Sequence, residues 1–195
     1  MFVSFEGLDG CGKTTQARLL AAALTAEGVD VVSTREPGGT PLGERIRDLV
    51  LHGDHVAPWA EAALYVAARA QHVDQVIRPA LARGATVVCD RYLDTSVAYQ
   101  GAGRGLGTEA ILELNLTAVE GLLPDLTVLV DIDVETARGR VGDKGDRIER
   151  AGAEFWPRVV DAYHDLAARF PERYVVVDGR RSIDELAEEI RGHVR

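Results

Sequence analysis

A glycine-rich loop that carries one lysine and two hydroxyl groups lies near the start of the sequence. Residues 7–14 read Gly-Leu-Asp-Gly-Cys-Gly-Lys-Thr and match the pattern Gly-x-x-x-x-Gly-Lys-Thr. In such a loop, consecutive backbone N–H groups surround a phosphate, and a lysine such as Lys13 contacts the β- and γ-phosphates. The hydroxyl of Thr14 is placed to bind Mg²⁺. We predict that a nucleoside triphosphate, the ATP of a kinase, is bound by Gly7, Leu8, Asp9, Gly10, Cys11, Gly12, Lys13, Thr14 and Thr15, although the loop alone does not separate a switch, a motor and a kinase.

Asp9 is a carboxylate inside a loop that is suited to anions. At about 4 Å from a triphosphate and an effective dielectric constant of about 20, its charge costs a few kcal/mol. That cost is offset if Asp9 accepts hydrogen bonds from a hydroxyl group, a lysine or an arginine near a second substrate. The alternative is that Asp9 points into solvent as a turn residue.

Short apolar runs alternate with helical patterns along the chain. Helices are predicted from Lys13, from Pro58 to Ala82, and from Ser182, where Glu185 completes a capping box. The predicted strands are Phe2–Phe5, Val29–Thr34, Thr86–Cys89, Leu126–Ile132 and Tyr174–Val177. Strands that are apolar throughout are buried on both faces, and intervening helices indicate parallel pairing.

These elements predict a single α/β domain over residues 1–195. We expect a three-layer, doubly wound sheet of five parallel strands with P-loop NTPase topology. In a sheet of this kind, ligands bind beyond the carboxyl ends of the strands. In the last helix, Ile183, Leu186, Ile190 and Val194 recur at helical spacing, so we expect them to share one apolar face.

The composition limits the possible partners and the location of the protein. A net charge of −9 argues against a nucleic acid polymer as partner, because binding to phosphate backbones needs a basic surface. Two cysteines, Cys11 and Cys89, are expected to be free thiols in a reducing cytosol. The sequence shows no signal peptide pattern and no apolar run near the ~18 residues of a membrane span, so we expect a cytoplasmic protein without a membrane partner.

Four further stretches accompany the loop in a specific order and spacing. They read Thr-Arg-Glu-Pro-Gly-Gly-Thr at 34–40, Tyr-Val-Ala-Ala-Arg-Ala-Gln-His at 65–72, Asp-Arg-Tyr-Leu-Asp-Thr-Ser-Val-Ala-Tyr-Gln-Gly at 90–101 and Asp-Arg-Ile-Glu at 146–149. Together with the loop they closely resemble the thymidylate kinase family, from Phe5 to about Tyr163. The resemblance implies transfer of a phosphoryl group from ATP to dTMP with Mg²⁺, giving dTDP. It also implies a homodimer formed by helices that pack side by side, with the helix at Pro58–Ala82 and the one after Gly107 as candidates.

The resemblance assigns a second set of residues to dTMP. It implies that Tyr65, where the family more often has Phe, stacks on the thymine ring, and that Arg69 donates to a base carbonyl. Tyr99 would lie against the sugar and exclude a ribose hydroxyl. The implied dTMP-binding residues are Asp9, Arg35, Tyr65, Arg69, Arg91, Ser96, Tyr99 and Gln100. Spacing alone places Tyr65 and Arg69 on one helix face, where they could equally be a core residue and a solvated arginine.

Cations near the transferring phosphoryl group, together with Asp9, form the predicted catalytic set. In one subgroup of the family an arginine follows the aspartate of the loop, but here that position is Gly10. The catalytic arginine is therefore expected from a lid at about 138–150, unless this segment is an ordinary solvated loop. The predicted catalytic residues are Lys13, Asp9, Arg91, Arg147 and Arg140, and the predicted metal ligands are Thr14 and Asp90.

Other classes of nucleotide-binding protein remain as alternatives. The guanine-reading stretch Asn-Lys-x-Asp of GTP switches does not occur in the sequence. A different small nucleoside or nucleotide kinase would share the loop and the fold. An ATP-dependent binding or partition module would hydrolyse ATP slowly without transferring phosphate to dTMP.

Overall fold

The computed structural model describes residues 1–141 and 154–194. Its strands are β1 (Phe2–Glu6), β2 (Val31–Arg35), β3 (Thr86–Asp90), β4 (Leu126–Asp131) and β5 (Tyr174–Asp178). They form one parallel sheet in the order β2-β3-β1-β4-β5. The predicted α/β fold with five parallel strands is confirmed, and no strand boundary differs from its prediction by more than two residues.

Helices cover both faces of the sheet. The α-helices are α1 (Lys13–Ala26), α2 (Pro41–His52), α3 (Pro58–His72), α4 (Arg78–Ala82), α5 (Leu93–Ser96), α6 (Thr108–Ala118), α7 (Val134–Val141), α8 (Phe155–Arg169) and α9 (Ile183–His193). Helix α1 contacts β1, β2 and β3 and packs against α9, which contacts β5, while α8 packs on β5 and on the segment after α5. None of the described helices is both long and apolar enough to cross a membrane.

The predicted helix from Pro58 to Ala82 is interrupted. A π-helical turn, Val73–Ile77, separates α3 from α4, and the Arg78 N–H donates to the carbonyl of Val73. Pro79 supplies the physical reason, because it has no N–H to donate and its ring crowds the carbonyl four residues earlier. A second π-helical segment, Val97–Gly103, continues α5.

Helix α9 begins as predicted but turns its first apolar residue outward. The side chain of Ser182 accepts from the Glu185 N–H, and Glu185 accepts from the Ser182 N–H, which confirms the capping box. Leu186 and Ile190 are buried, whereas Ile183 is 56% exposed, so its predicted place on the apolar face is wrong. Ile183 lies in the first turn, where its carbonyl accepts from the side chain of Gln16 at 3.0 Å.

Every strand ends on a charged residue at the same edge of the sheet. These residues are Glu6, Arg35, Asp90, Asp131 and Asp178. The bodies of β1, β3 and β4 are buried, as expected for strands covered on both faces. The polar residues that could do chemistry are therefore concentrated at the carboxyl edge, beside the glycine-rich loop.

Candidate active site

The glycine-rich loop joins β1 to α1 and leaves room for an anion. Gly7 and Gly10 have φ of 134° and 81°, and a Cβ would lie 2.5 Å from the Val130 carbonyl oxygen at Gly7 and 2.6 Å from the Ala137 carbonyl oxygen at Gly10. Gly12 precedes α1 with φ of 103°, and no described atom lies within 4 Å of its Cβ position. The loop therefore needs glycine for its conformation and for close approach, and it opens at the positive end of a 14-residue helix.

The other residues of the loop present backbone or charge to the same space. Leu8 and Cys11 are buried, so they offer their backbone rather than their side chains. Thr15 is partly exposed. The Lys13 ammonium group is buried and donates to the Leu8 carbonyl and to Asp9 Oδ1, both at 3.1 Å. A positive charge is thus held at the loop.

The side chains of Thr14 and Asp90 bring their oxygens together beside the loop. The Thr14 hydroxyl donates to Asp90 Oδ2, while buried Asp90 Oδ1 has no hydrogen-bond partner among the described residues. Residues 1–141 and 154–194 contain no group of three or more His, Cys, Asp or Glu suited to a metal. Two protein oxygens with a spare lone pair fit Mg²⁺, which commonly keeps waters and substrate phosphates as its other ligands.

Asp9 connects the loop to Arg91, the residue directly after β3. Arg91 Nη2 donates to Asp9 Oδ1 at 2.6 Å, and Arg91 Nη1 donates to the Gly7 carbonyl at 3.2 Å. The Tyr99 hydroxyl donates to Asp9 Oδ2 at 3.3 Å, and the Arg91 guanidinium lies 5.1 Å from the centre of the Tyr99 ring. Asp9 therefore accepts from Lys13, Arg91 and Tyr99, and its interpretation as a solvent-facing turn residue is wrong.

The charges around Asp9 keep its carboxyl group ionised. Burial acts to raise the pKa of Asp9, but the charge of Arg91, followed by that of Lys13, outweighs burial. The pKa of Asp9 consequently lies well below its usual range. At neutral pH the side chain is an anion that orients two cations.

A pocket opens directly beside Asp9. The pocket is lined by five of the residues predicted to bind dTMP, namely Asp9, Tyr65, Arg91, Tyr99 and Gln100. Gln100 Nε2 donates to Glu61 Oε1 at 2.9 Å, which fixes the orientation of the amide. Gln100 Oε1 is then a buried acceptor with no partner in the described part of the chain.

Arg69 and Ser96 lie behind the wall of this pocket. Arg69 is 2% exposed, so the interpretation of its side chain as solvated is wrong. Its Nε donates to Glu36 Oε2 at 2.6 Å, and its Nη1 donates to Ser96 Oγ at 3.0 Å and to Asn115 Oδ1. The arginine thus neutralises Glu36 and supports the pocket from beneath.

Arg35 and Arg140 lie at other sides of the loop. Arg35 is about half exposed, donates to both oxygens of Glu44 at 3.0 and 2.8 Å, and lines a neighbouring cleft with Thr14 and Asp90. Arg140, on α7, donates to the carbonyls of Gly10 at 3.4 Å and of Gly179 at 3.1 Å. Arg147 and the predicted lid beyond residue 141 lie outside the described residues.

Sequence reasoning missed several residues of the site. Arg47 and Pro37 line the pocket, and Arg47 Nη1 donates to the Pro37 carbonyl at 3.0 Å. Glu36 is buried between Arg69 and His72, whose Nδ1 lies 2.9 Å from Glu36 Oε1. The stretch Arg-Glu-Pro-Gly-Gly was a signal for Glu36, whereas Arg47 lies outside every motif.

Known proteins match this chain along almost its whole length. The family model for thymidylate kinase matches residues 5–190. Thymidylate kinase from Leifsonia xyli subsp. xyli is 56% identical over 196 residues, covering 98% of this chain and 92% of that protein. The enzyme of that name from Cutibacterium acnes is 52% identical over 196 residues, with coverage of 100% and 96%. The crystal structure of thymidylate kinase from Ehrlichia chaffeensis is similar, with a TM-score of 0.83, 34% identity and coverage of 100% and 98%. The chain therefore belongs to the thymidylate kinase family.

Proposed function

We propose that this protein transfers the γ-phosphoryl group of ATP to dTMP and releases ADP and dTDP. One observation carries the proposal: Asp9 and Arg91 belong both to the surroundings of the glycine-rich loop and to the adjoining pocket. A triphosphate in the loop and a monophosphate in the pocket would therefore meet at these two side chains. Membership of the thymidylate kinase family supports the same pair of substrates.

The reaction needs positioned cations rather than a strong base. An oxygen of the dTMP phosphate is already a nucleophile, so it bonds to the γ-phosphorus while the bond to the β-bridging oxygen of ATP breaks. Lys13 and Arg91 would neutralise the oxygens around the transferred group, with Asp9 holding both cations in place. Thr14 and Asp90 would hold Mg²⁺, which, when bound, neutralises further phosphate charge.

The lid would complete this arrangement. We propose that Arg147, or failing that Arg140, brings a further positive charge to the transferring group. Arg140 already lies against the Gly10 carbonyl, which supports a place beside the ATP phosphates. Closure of the lid would exclude water, so that the phosphoryl group passes to dTMP rather than being hydrolysed.

Recognition of dTMP would use the pocket wall. Tyr65 would stack on thymine, and Gln100 Oε1 would accept from a base N–H. Tyr99 would face the sugar, with its ring held by edge-on contacts to Phe155 and Trp156, both 5.9 Å between ring centres. Arg69 and Ser96 would act from behind the wall, and Arg35 would approach the monophosphate from the neighbouring cleft.

A panel of phosphate acceptors tests this function. ADP release would be followed with dTMP, dUMP, dCMP and water as acceptors, with ATP and Mg²⁺ in excess. We expect dTMP to react fastest and dUMP to lose about 10–200-fold in kcat/KM, the usual value of one methyl group in a pocket. A preference for another monophosphate would support a different nucleotide kinase. Slow ADP release that no monophosphate stimulates would support a partition module.

We further propose that the protein is a homodimer. Large apolar side chains are exposed on neighbouring helices: Leu49 on α2, Trp59 on α3 and Leu114 on α6. Sedimentation velocity should give a dimer, and Trp59→Asp should shift it toward monomer. Ile183→Asp, an equally exposed apolar residue on α9, is the matched control and should leave the dimer intact. A wild-type monomer at micromolar concentration would contradict the proposal.

A further inference from the structure

Glu6 is a fully buried carboxylate at the end of β1, directly before the glycine-rich loop. Both of its oxygens accept hydrogen bonds. Oε1 accepts from the Tyr92 backbone N–H at 2.8 Å. Oε2 accepts from the Thr95 hydroxyl and from the Tyr163 hydroxyl, the latter at 3.1 Å. Its partners come from the segment after β3 and from α8, so Glu6 joins three parts of the fold.

The groups that Glu6 holds are those that position Arg91. Arg91 has φ of 70°, an unfavourable left-handed conformation for a residue with a side chain, and the N–H of the next residue, Tyr92, is bound by Glu6. The Thr95 hydroxyl that donates to Glu6 also accepts from Arg91 Nη1 at 3.1 Å. Glu6 therefore restrains Arg91 through its backbone and through its guanidinium group.

The geometry points to Glu6 as a positioning residue for phosphoryl transfer, whose ionised carboxylate holds Arg91 against Asp9 and the loop. This inference rests on the proposed function. The ionised form matches the surroundings, because Tyr92, Thr95 and Tyr163 can all donate to it. A protonated Glu6 would direct its own proton at Thr95 or Tyr163. When that proton points at Thr95, the Thr95 oxygen accepts from Glu6 as well as from Arg91, and the Thr95 hydroxyl no longer donates to Glu6.

Glu6 also changes its charge in the range where the reaction would run. Burial, followed by the negative charge of Asp94, raises the pKa of Glu6 to about 7, against the lowering effects of Thr95, Arg91 and Tyr92. The charged groups near Glu6 are Arg91, Asp94 and Arg173, and the neutral titratable groups are Cys89, Tyr163 and Tyr174. Burial raises the pKa of the three neutral groups, so they stay protonated near pH 7.

Glu6→Gln tests the inference, because glutamine has the shape of the protonated acid. We expect kcat of the wild type, at saturating dTMP and ATP, to rise through a one-proton step near pH 7. Glu6→Gln should lose about tenfold or more in kcat at pH 8 and should lack that step, while KM for ATP stays within about twofold. The second ionisation of the dTMP phosphate, near pH 6, is common to both proteins. A Glu6→Gln enzyme with the wild-type kcat and pH step would overturn the inference.

A second series of variants, at Thr95, tests the inference even if Glu6→Gln does not fold. Thr95→Val removes the hydroxyl that links Glu6 to Arg91, and Thr95→Ser restores it. We expect kcat to fall about tenfold in the valine variant and to recover to within about threefold in the serine variant. Thr117→Val, at an exposed hydroxyl on α6, is the matched control and should change nothing. Equal kcat values in Thr95→Val and Thr95→Ser would overturn the inference.

A measurement without turnover separates this inference from the proposed function. The guanidinium ¹⁵N signal of Arg91 should shift through about pH 7 in the wild type and stay constant in Glu6→Gln. A wild type that moves no phosphate to dTMP but shows this shift would refute only the proposed function. A signal with the same pH dependence in both proteins would refute the role of Glu6.

Discussion

Arg173 and Asp94 form a buried ion pair directly behind the active site. Arg173 Nη1 and Nη2 lie 2.8 and 2.7 Å from the two Asp94 oxygens, and the side chains are 6% and 0% exposed. Arg173→Met keeps an apolar side chain of similar length but leaves Asp94 buried, unpaired and close to Glu6. Removal of one partner from such a pair costs roughly 3–5 kcal/mol of unfolding free energy.

This cost should appear as a large loss of thermal stability. For a chain of this size, each kcal/mol lowers Tm by about 2–4 °C, so Arg173→Met should lower Tm by about 6–20 °C. The added variant Asp94→Asn removes the uncompensated charge. The double variant Asp94→Asn/Arg173→Met should therefore be more stable than Arg173→Met alone.

Urea unfolding of the four proteins of this cycle, followed by circular dichroism at pH 7.5, measures the coupling. Arg169→Met is the matched control. Arg173 and Arg169 lie over the same Phe170 ring, at 4.9 and 5.1 Å, but the ion pair of Arg169 with Glu109 is exposed. This control should move the unfolding midpoint by only a small fraction of the Arg173→Met change. A cost below about 1 kcal/mol for Arg173→Met, or a double variant no more stable than the single one, would refute the reasoning.

Three further predictions concern Tyr99, Asp90 and Glu6. Tyr99→Phe loses only two long hydrogen bonds, at 3.3 and 3.4 Å, and keeps the aromatic ring. Its discrimination between deoxy- and ribo-monophosphates should therefore stay within about twofold of the wild-type value. Loss of this discrimination would mean that the hydroxyl, not the ring, excludes ribose. Asp90→Asn should raise the Mg²⁺ concentration for half-maximal rate by about tenfold, and an unchanged Mg²⁺ titration would argue against a metal role. Because folding raises the pKa of Glu6 from 4.5 to about 7, it favours the protonated acid; the stability of the wild type relative to Glu6→Gln should fall by roughly 3 kcal/mol as the pH rises from 4.5 to 7. Paired urea titrations at these pH values check it, and a constant difference would contradict it.

The fold was predictable because its main signals are local. Five apolar runs are long enough to be strands buried on both faces, and the intervals between them suit crossover helices. The π-helical turn at Val73–Ile77 was not predicted, although a proline inside the predicted helix, Pro79, indicates an interruption. The outward position of Ile183 could not be predicted from spacing, because the surface that covers α9 comes from α1, far away in the sequence.

In the candidate site, too, the contiguous motif could be predicted from the sequence, whereas the long-range side-chain contacts could not. The glycine-rich loop is a contiguous motif whose conformation follows from its own residues, so Lys13 and Thr14 were visible at once. The three side-chain partners of Arg69 are 27 to 46 residues away, and nothing local indicated that they would converge on one guanidinium. Glu6 received no role from the sequence and lay outside the predicted strand Phe2–Phe5, since its side-chain partner Tyr163 is 157 residues away.

Transfer of a labelled phosphate tests the central claim most directly. The protein would be incubated with Mg²⁺, dTMP and ATP labelled at the γ-phosphate, and the products would be separated. The account predicts label in dTDP with an equal amount of ADP, and no labelled dTDP from Lys13→Ala, whose fold should persist by circular dichroism. Label found only in inorganic phosphate, or the same labelled dTDP from wild type and Lys13→Ala, would contradict it.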